Sequence, residues 1–209
     1  MADGEPRWRR RKTARPGEIV AAAVEIFAEK GFAAARLEDI AARAGVSKAA
    51  LYLYFETKTD IFRAVAETIV APNIELLRPA AEAHQGPFSD IAPLILVRLA
   101  ALGEGTPLGG IVKMVIGESR NFPELARVWR ETVIEKALGM VSGLIQRAQA
   151  RGEVKPGDPQ LYAFSLLGPM MLGVLWREVA VPAGGKTIDL QELAAQHADT
   201  VLTGLLTGA

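Results

Sequence analysis

Residues 36–63, RLEDIAARAGVSKAALYLYFETKTDIFR, decide the fold. Leu37 through Ala44 has the composition of a short helix, and Gly45 stands where a C-terminal cap needs a left-handed residue. Val46 and Ser47 restart the chain, and Ser47 suits the N-cap of a second short helix from Lys48 to about Leu53. Two short helices joined by a turn of about three to four residues containing Gly form a helix-turn-helix. Ile40, Ala41, Val46 and Leu51 are spaced to meet inside the angle between them, and Ala41 is small enough for close approach. The second helix then presents Ser47, Lys48, Ala49, Ala50, Tyr52 and Tyr54 outward. That face is small, polar and aromatic with one cation, which suits a DNA major groove. Phe55 reads as ordinary core.

Working outward, a first helix is expected from about Pro16 to Lys30, with Pro16 in its first turn and Gly31 at its end. Its stripe, Ile19, Val20, Ala23, Ile26 and Phe27, follows the helical period and packs on the next two helices. Thr59 is the expected cap of a fourth helix from Asp60, which Pro72 must kink or end. Further helices are expected at 74–84, 88–103, 107–121, 123–151, 158–179 and 187–207. Gly- and Pro-containing breaks separate them, and Pro79, Pro93 and Pro169 lie within them. No alternating strand pattern appears, so the fold class is all-α.

The chain has 209 residues, half of them hydrophobic, enough for a real core in one or two small domains. Its formal net charge is zero, so affinity for nucleic acid must come from local charge. Arg7, Arg9, Arg10, Arg11, Lys12 and Arg15 form such a cluster with no acid among them. Residues 1–14 are read as a flexible basic arm, which either lies on DNA or is merely a solvated tail. The sequence has no cysteine, which excludes disulfides and thiol chemistry. The longest apolar run, Leu161 to Trp176, is broken by Ser165, Gly168, Pro169 and Gly173 and falls short of the roughly 20 residues of a membrane span. With no signal peptide visible, the expectation is a soluble, cytoplasmic protein that engages no membrane.

The run from about Arg15 to Arg63 resembles the N-terminal domain of the TetR family of bacterial transcriptional repressors. The resemblance rests on Ile19, Ala22, Phe27, Gly31 and Phe32, then Asp39-Ile40-Ala41, Ala44-Gly45-Val46-Ser47-Lys48, Leu51-Tyr52-x-Tyr54-Phe55, Lys58 and Ile61-Phe62. Ala35-Arg36 departs from the Thr or Ser cap usual in the family before the second helix. The resemblance implies a three-helix DNA-binding domain over 15–63 and a helical ligand-binding and dimerisation domain over 64–209. It further implies that Tyr54 and Lys58 touch the DNA backbone, as Ser47 can with its hydroxyl or amide. Lys48, at the start of the recognition helix, is the candidate for guanine O6 and N7. Ala49 and Ala50 suit a thymine methyl, and Tyr52 either role.

In the C-terminal half, Leu161, Phe164, Leu167, Met171 and Leu175 form one apolar stripe, and Leu190, Leu193, Ala194, His197, Val201 and Leu205 form another. Two such helices are hard to satisfy within one subunit, so they are expected to pair with their symmetry mates in a four-helix bundle. The resemblance implies the same homodimer. Two recognition helices related by a two-fold axis would read a palindromic operator with half-sites about 34 Å, or a multiple, apart. Leu99, Met114, Glu118, Trp129, Phe164, Met171 and Trp176 are candidates to line an adaptable apolar pocket. The resemblance implies that a small-molecule effector binds there and shifts Asp60–Ala71, weakening DNA affinity by linkage. A DNA-binding activator or architectural protein without an inducer would present the same recognition helix.

An enzyme needs a constellation that this sequence lacks. His84 and His197 are the only histidines, and no His-x-x-x-His or Glu-x-x-His spacing offers a metal site. Gly185-Lys186-Thr187 echoes a phosphate loop, but the first required glycine is Ala180 and a helix precedes it. No catalytic residue, metal or cofactor is expected.

Overall fold

The computed structural model of the chain describes residues 7–208, with side chains from residue 16 onward. Its elements are helical, and among the described residues the single β contact is an isolated antiparallel bridge between Val154 and Leu206. α1 (Arg7–Ala34) begins well before Pro16. The stretch expected to be a flexible arm is therefore helical from residue 7, while residues 1–6 and the side chains of the basic cluster lie outside the described residues. At Gly31 a φ of 73° breaks α1, and a Cβ there would stand 2.9 Å from Glu118 Oε1.

α2 (Leu37–Arg43) and α3 (Lys48–Tyr52) form the helix-turn-helix. The amide of Val46 donates to Ala41 O at 3.0 Å and that of Gly45 to Ala42 O at 3.2 Å. This double closure requires the positive φ of 66° that Gly45 supplies. Ser47 Oγ caps α3 by accepting from Ala50 N at 3.1 Å. Arg36, before α2, makes no side-chain cap. Ile40, Ala41 and Leu51 are buried in the angle, Val46 and Phe55 half-buried beside them.

α4 (Lys58–Val65) corrects the expected cap. Thr57, not Thr59, holds it: Thr57 Oγ1 accepts from Asp60 N at 3.1 Å, and Asp60 Oδ2 accepts from Thr57 N at 2.9 Å. Thr57 wins because an acid stands three residues on, completing a reciprocal capping box. Pro72 does not end the helix either. A π-turn, Ala66–Val70, follows α4 and leads into α5 (Ala71–Ala83), with Ala71 N donating to Ala66 O. The widened turn relieves the crowding that the Pro72 ring would impose on the carbonyl one turn back. The expected division after residue 63 falls within α4.

The remaining helices are α6 (Phe88–Gly105), α7 (Leu108–Glu118), α8 (Pro123–Trp129), α9 (Glu135–Ala150), α10 (Pro159–Val179) and α11 (Leu190–Leu205). The expected single helix over 123–151 carries a second π-turn, Arg130–Ile134, which packs on the first. One apolar core runs through both halves. Among the described residues no single helix is long and apolar enough to cross a membrane.

Candidate DNA interface and apolar cavity

Ion pairs seat the helix-turn-helix on α1. Arg43 Nη1 meets Glu25 at 2.6 Å and its Nη2 meets Glu29 at 3.0 Å, while Lys30 Nζ meets Asp39 at 2.8 Å. The hydrogen bond from Arg43 holds the Glu29 carboxyl below the ordinary glutamate value, and Lys30 does the same for Asp39. On the outward face Lys48 pairs with Glu38 of α2 and lies 5.9 Å from the Tyr52 ring centroid. The Glu38 carboxylate raises the Lys48 pKa through its hydrogen bond. Such an exposed pair is weak, so little holds Lys48 to Glu38. Ala49, Tyr52 and Tyr54 are exposed and Ala50 is half-buried. Leu53, absent from the expected set, is 80% exposed between the two tyrosines. Its clue was a leucine between Tyr52 and Tyr54 that the inward pattern of Ile40, Val46 and Leu51 does not need.

Lys58, expected on a phosphate, points inward. Its Nζ donates to Phe32 O at 2.5 Å and Ala33 O at 3.1 Å, and stands 4.6 Å from the Phe32 ring centroid. Free carbonyls at a helix exit and an aromatic face both attract a cation. Burial holds this ammonium below the ordinary lysine value, opposed by the charge of Glu118. Glu118, expected in the pocket, belongs to the same junction, where its Oε1 accepts from Ala33 N at 3.1 Å. Phe122, just beyond α7, completes it by stacking edge-on against Phe32 with centroids 5.1 Å apart.

A cavity of about 680 Å³ opens among α5 to α10, within the ordinary range of roughly 300–1,000 Å³ for small-molecule sites. Leu99, Trp129, Phe164 and Met171 of the expected set line it. Three expected residues do not. Glu118 is turned to α1, and Met114 lies with Phe27 and Phe62 along a separate gap of about 20 Å³. Trp176 donates from Nε1 to Lys186 O at 2.8 Å, bracing the loop before α11. The rotation of each helix about its axis decides these cases, and periodicity alone does not fix it.

Sequence reasoning missed Asn73 and Arg98, two of the few polar groups in the cavity wall. Arg98 was visible as the one charged residue between Asp90 and Glu104. Its Nη2 donates to Asn73 Oδ1 at 3.2 Å, and Asn73 Nδ2 donates to Ile69 O in the first π-turn at 2.9 Å. Among the described residues no three His, Cys, Asp or Glu side chains are placed to hold a metal.

The α11 stripe is met within the subunit: Leu190, Ala194 and Leu205 are buried, and the helix packs chiefly on α6 and α10. His197 Nε2 bonds Leu166 O at 3.0 Å. Of the two helices expected to need a partner, α10 is the one whose outer side exposes large apolar residues, Leu161, Phe164, Leu172 and Val179. Phe164 and Leu172 are also part of the cavity wall.

A helix-turn-helix facing solvent, carried on a helical body with an apolar cavity, defines a DNA-binding regulator. Residues 19–65 match the family model of the bacterial regulatory proteins, tetR family, and residues 94–185 match that of the tetracyclin repressor-like C-terminal domain. The chain belongs to the TetR family of DNA-binding transcriptional regulators. It is 29% identical over 156 residues to the HTH-type transcriptional regulator YfiR of Bacillus subtilis, covering 71% of this chain and 72% of that one. Two solved structures share the fold. FadR of Bacillus subtilis in complex with stearoyl-CoA has a TM-score of 0.75 at 22% identity, over 90% of this chain and 98% of its own. The SmeT–triclosan complex, SmeT being a repressor from Stenotrophomonas maltophilia, has a TM-score of 0.75 at 23% identity, over 94% and 93%.

Proposed function

We propose that the chain is a homodimeric repressor that binds a palindromic operator and leaves it when a small, largely apolar ligand fills the cavity. The observation that carries this reading is the cavity's position: Val70 of the first π-turn and Ile74 and Leu77 of α5 form one wall. These residues continue the helix that leaves the DNA-binding unit as α4. A ligand that favours a shifted α4 weakens operator binding by its differential affinity for that state, and the operator weakens ligand binding equally. The exposed apolar side of α10 supplies the dimer face, with α11 beside it in a four-helix bundle. Two structural neighbours, bound to stearoyl-CoA and to triclosan, are in keeping with a largely apolar effector. On the DNA, Lys48 reads a base, Ala49, Ala50 and Tyr52 pack in the groove, and Ser47 and Tyr54 meet phosphates. Lys58 takes no part while its ammonium stays on the α1 carbonyls.

The test is selection of bound fragments from random DNA at physiological salt, followed by transcription from a promoter carrying the selected site. The expected result is a palindrome with half-sites about 34 Å, or a multiple, apart, and less transcript as protein is added. Sequence-blind binding would sink the operator reading, and a rise in transcript would make the protein an activator.

A further inference from the structure

The cavity wall is apolar almost throughout, and its few polar groups are unequal. Ser119 Oγ is already committed to Ile116 O at 3.2 Å. Asn73 spends its amide nitrogen on Ile69 O and its oxygen on Arg98. No aspartate or glutamate lines the space. Arg98 is the one charged group in the wall, and among the described residues it has no ion pair. Its single hydrogen bond, to Asn73, uses one of five guanidinium N–H groups. Arg98 is exposed, so at the edge of an apolar cavity its remaining donors face water, where an anionic head group can take them.

We propose that the effector is an amphipathic acid, an apolar body with one anionic head, and that Arg98 binds the head while the cavity takes the body. This deepens the proposed function and rests on the reading that the cavity is the effector site. An apolar body gains from leaving water for the lining, which a neutral alcohol of the same length shares. The acid adds charge-assisted hydrogen bonds to Arg98, which the alcohol lacks. A cationic amphipath meets Arg98 with like charge and finds no carboxylate to replace its water. Asn73 also links the site to the helix that leaves the DNA-binding unit, because its bond to Ile69 O ties Arg98 to the π-turn between α4 and α5. A head group that draws Arg98 away from Asn73 changes the restraint on that turn.

The experiment is calorimetric titration of the purified protein with dodecanoate, dodecanol and dodecyltrimethylammonium, in wild type and in Arg98→Gln. Dodecanoate is expected to bind about tenfold or more tighter than dodecanol, matching a hydrogen bond to a charged group, and the ammonium compound more weakly than either. Arg98→Gln removes the charge yet can still bond Asn73, so the acid and alcohol affinities should converge with dodecanol unchanged. Equal binding of acid and alcohol by wild type, or an acid preference that survives Arg98→Gln, would overturn the role of Arg98 and leave the apolar site standing. Tight binding of all three that is unchanged in the double variant Leu99→Trp/Met171→Trp, whose two indoles narrow the cavity from α6 and α10, would overturn the cavity as the site and this proposal with it. So would no binding of any of them. Unchanged thermal unfolding of Arg98→Gln separates lost recognition from lost folding.

Discussion

Around α1 and α4, Phe27, Phe32 and Phe62 pack ring against ring with centroids 5.5 to 6.5 Å apart. The gap beside Phe27 and Phe62 holds about 20 Å³. Across α5 to α10, side chains just as apolar stand around about 680 Å³. Both regions are helical and belong to one continuous core, so the difference is in how completely the helices close. Under the proposed function the first region presents α3 to a groove, and filled contacts suit that task because small displacements cost recognition. The second region, on the same proposal, admits another molecule, and there open space lined by Met and aromatic side chains that can repack is of use.

The largest effect that would break this contrast comes from truncating matched side chains. Phe62→Ala should cost about 3–5 kcal/mol, as fully buried aromatic truncations do. Met171→Ala, at the cavity wall, should cost about 1 kcal/mol, since one side of Met171 already lacks partners. Urea unfolding of both variants would measure this, and equal costs would mean the cavity is as tightly closed as the aromatic cluster. A subtler intervention is Leu99→Trp, which puts bulk into the void. It should leave the melting temperature and operator affinity within error while weakening the binding of dodecanoate measured by calorimetry. A sharp loss of stability instead would mark Leu99 as packed core.

The smallest effect is electrostatic. Glu29, Glu38 and Asp39 in the DNA-binding unit are held below their ordinary values of 4.5, 4.5 and 3.8 by hydrogen bonds from Arg43, Lys48 and Lys30. A carboxyl whose folded pKa lies below its unfolded one adds stability that is present above the unfolded value and lost as pH falls through the folded one. Protection from hydrogen exchange along α1 and α2 should therefore hold from pH 7 to about 5 and weaken below about 4.5. All three pairs are exposed, so the change is modest and shrinks with added salt. Full protection of α1 and α2 at pH 3 would show that these three pairs add nothing to the stability of the DNA-binding unit.

How far the sequence could be read divides along the same line. Gly45 and Ser47 announce a turn and a cap because each has a local duty, a positive φ and a hydroxyl beside a free amide. The helix-turn-helix was legible for that reason. The breaks between later helices were legible too, since glycine and proline mark them. Thr57 was passed over for Thr59, although only Thr57 has an acid three residues on. The two π-turns left no such mark. They arise where two helices press on one another, and Pro72 hints only at the first. Glu118 and Trp176 shared the helical spacing of the cavity residues but faced α1 and the loop before α11. Lys58 kept the position of a DNA contact and found a nearer partner in the α1 carbonyls.

The facing π-turns have a consequence for length variation in this chain. Each closes a bond five residues apart where an α-helix needs four, so each holds one residue more than the helical phase requires. A single deletion within Arg130–Ile134 returns that segment to ordinary α-helix and leaves α8 and α9 in phase. The same deletion in the middle of α9 would turn everything after it by about 100°. Ala66–Val70 has less latitude, because its extra width also makes room for Pro72. In this fold the second π-turn is therefore a place where the chain can change length by one residue and keep every later side chain on its own face.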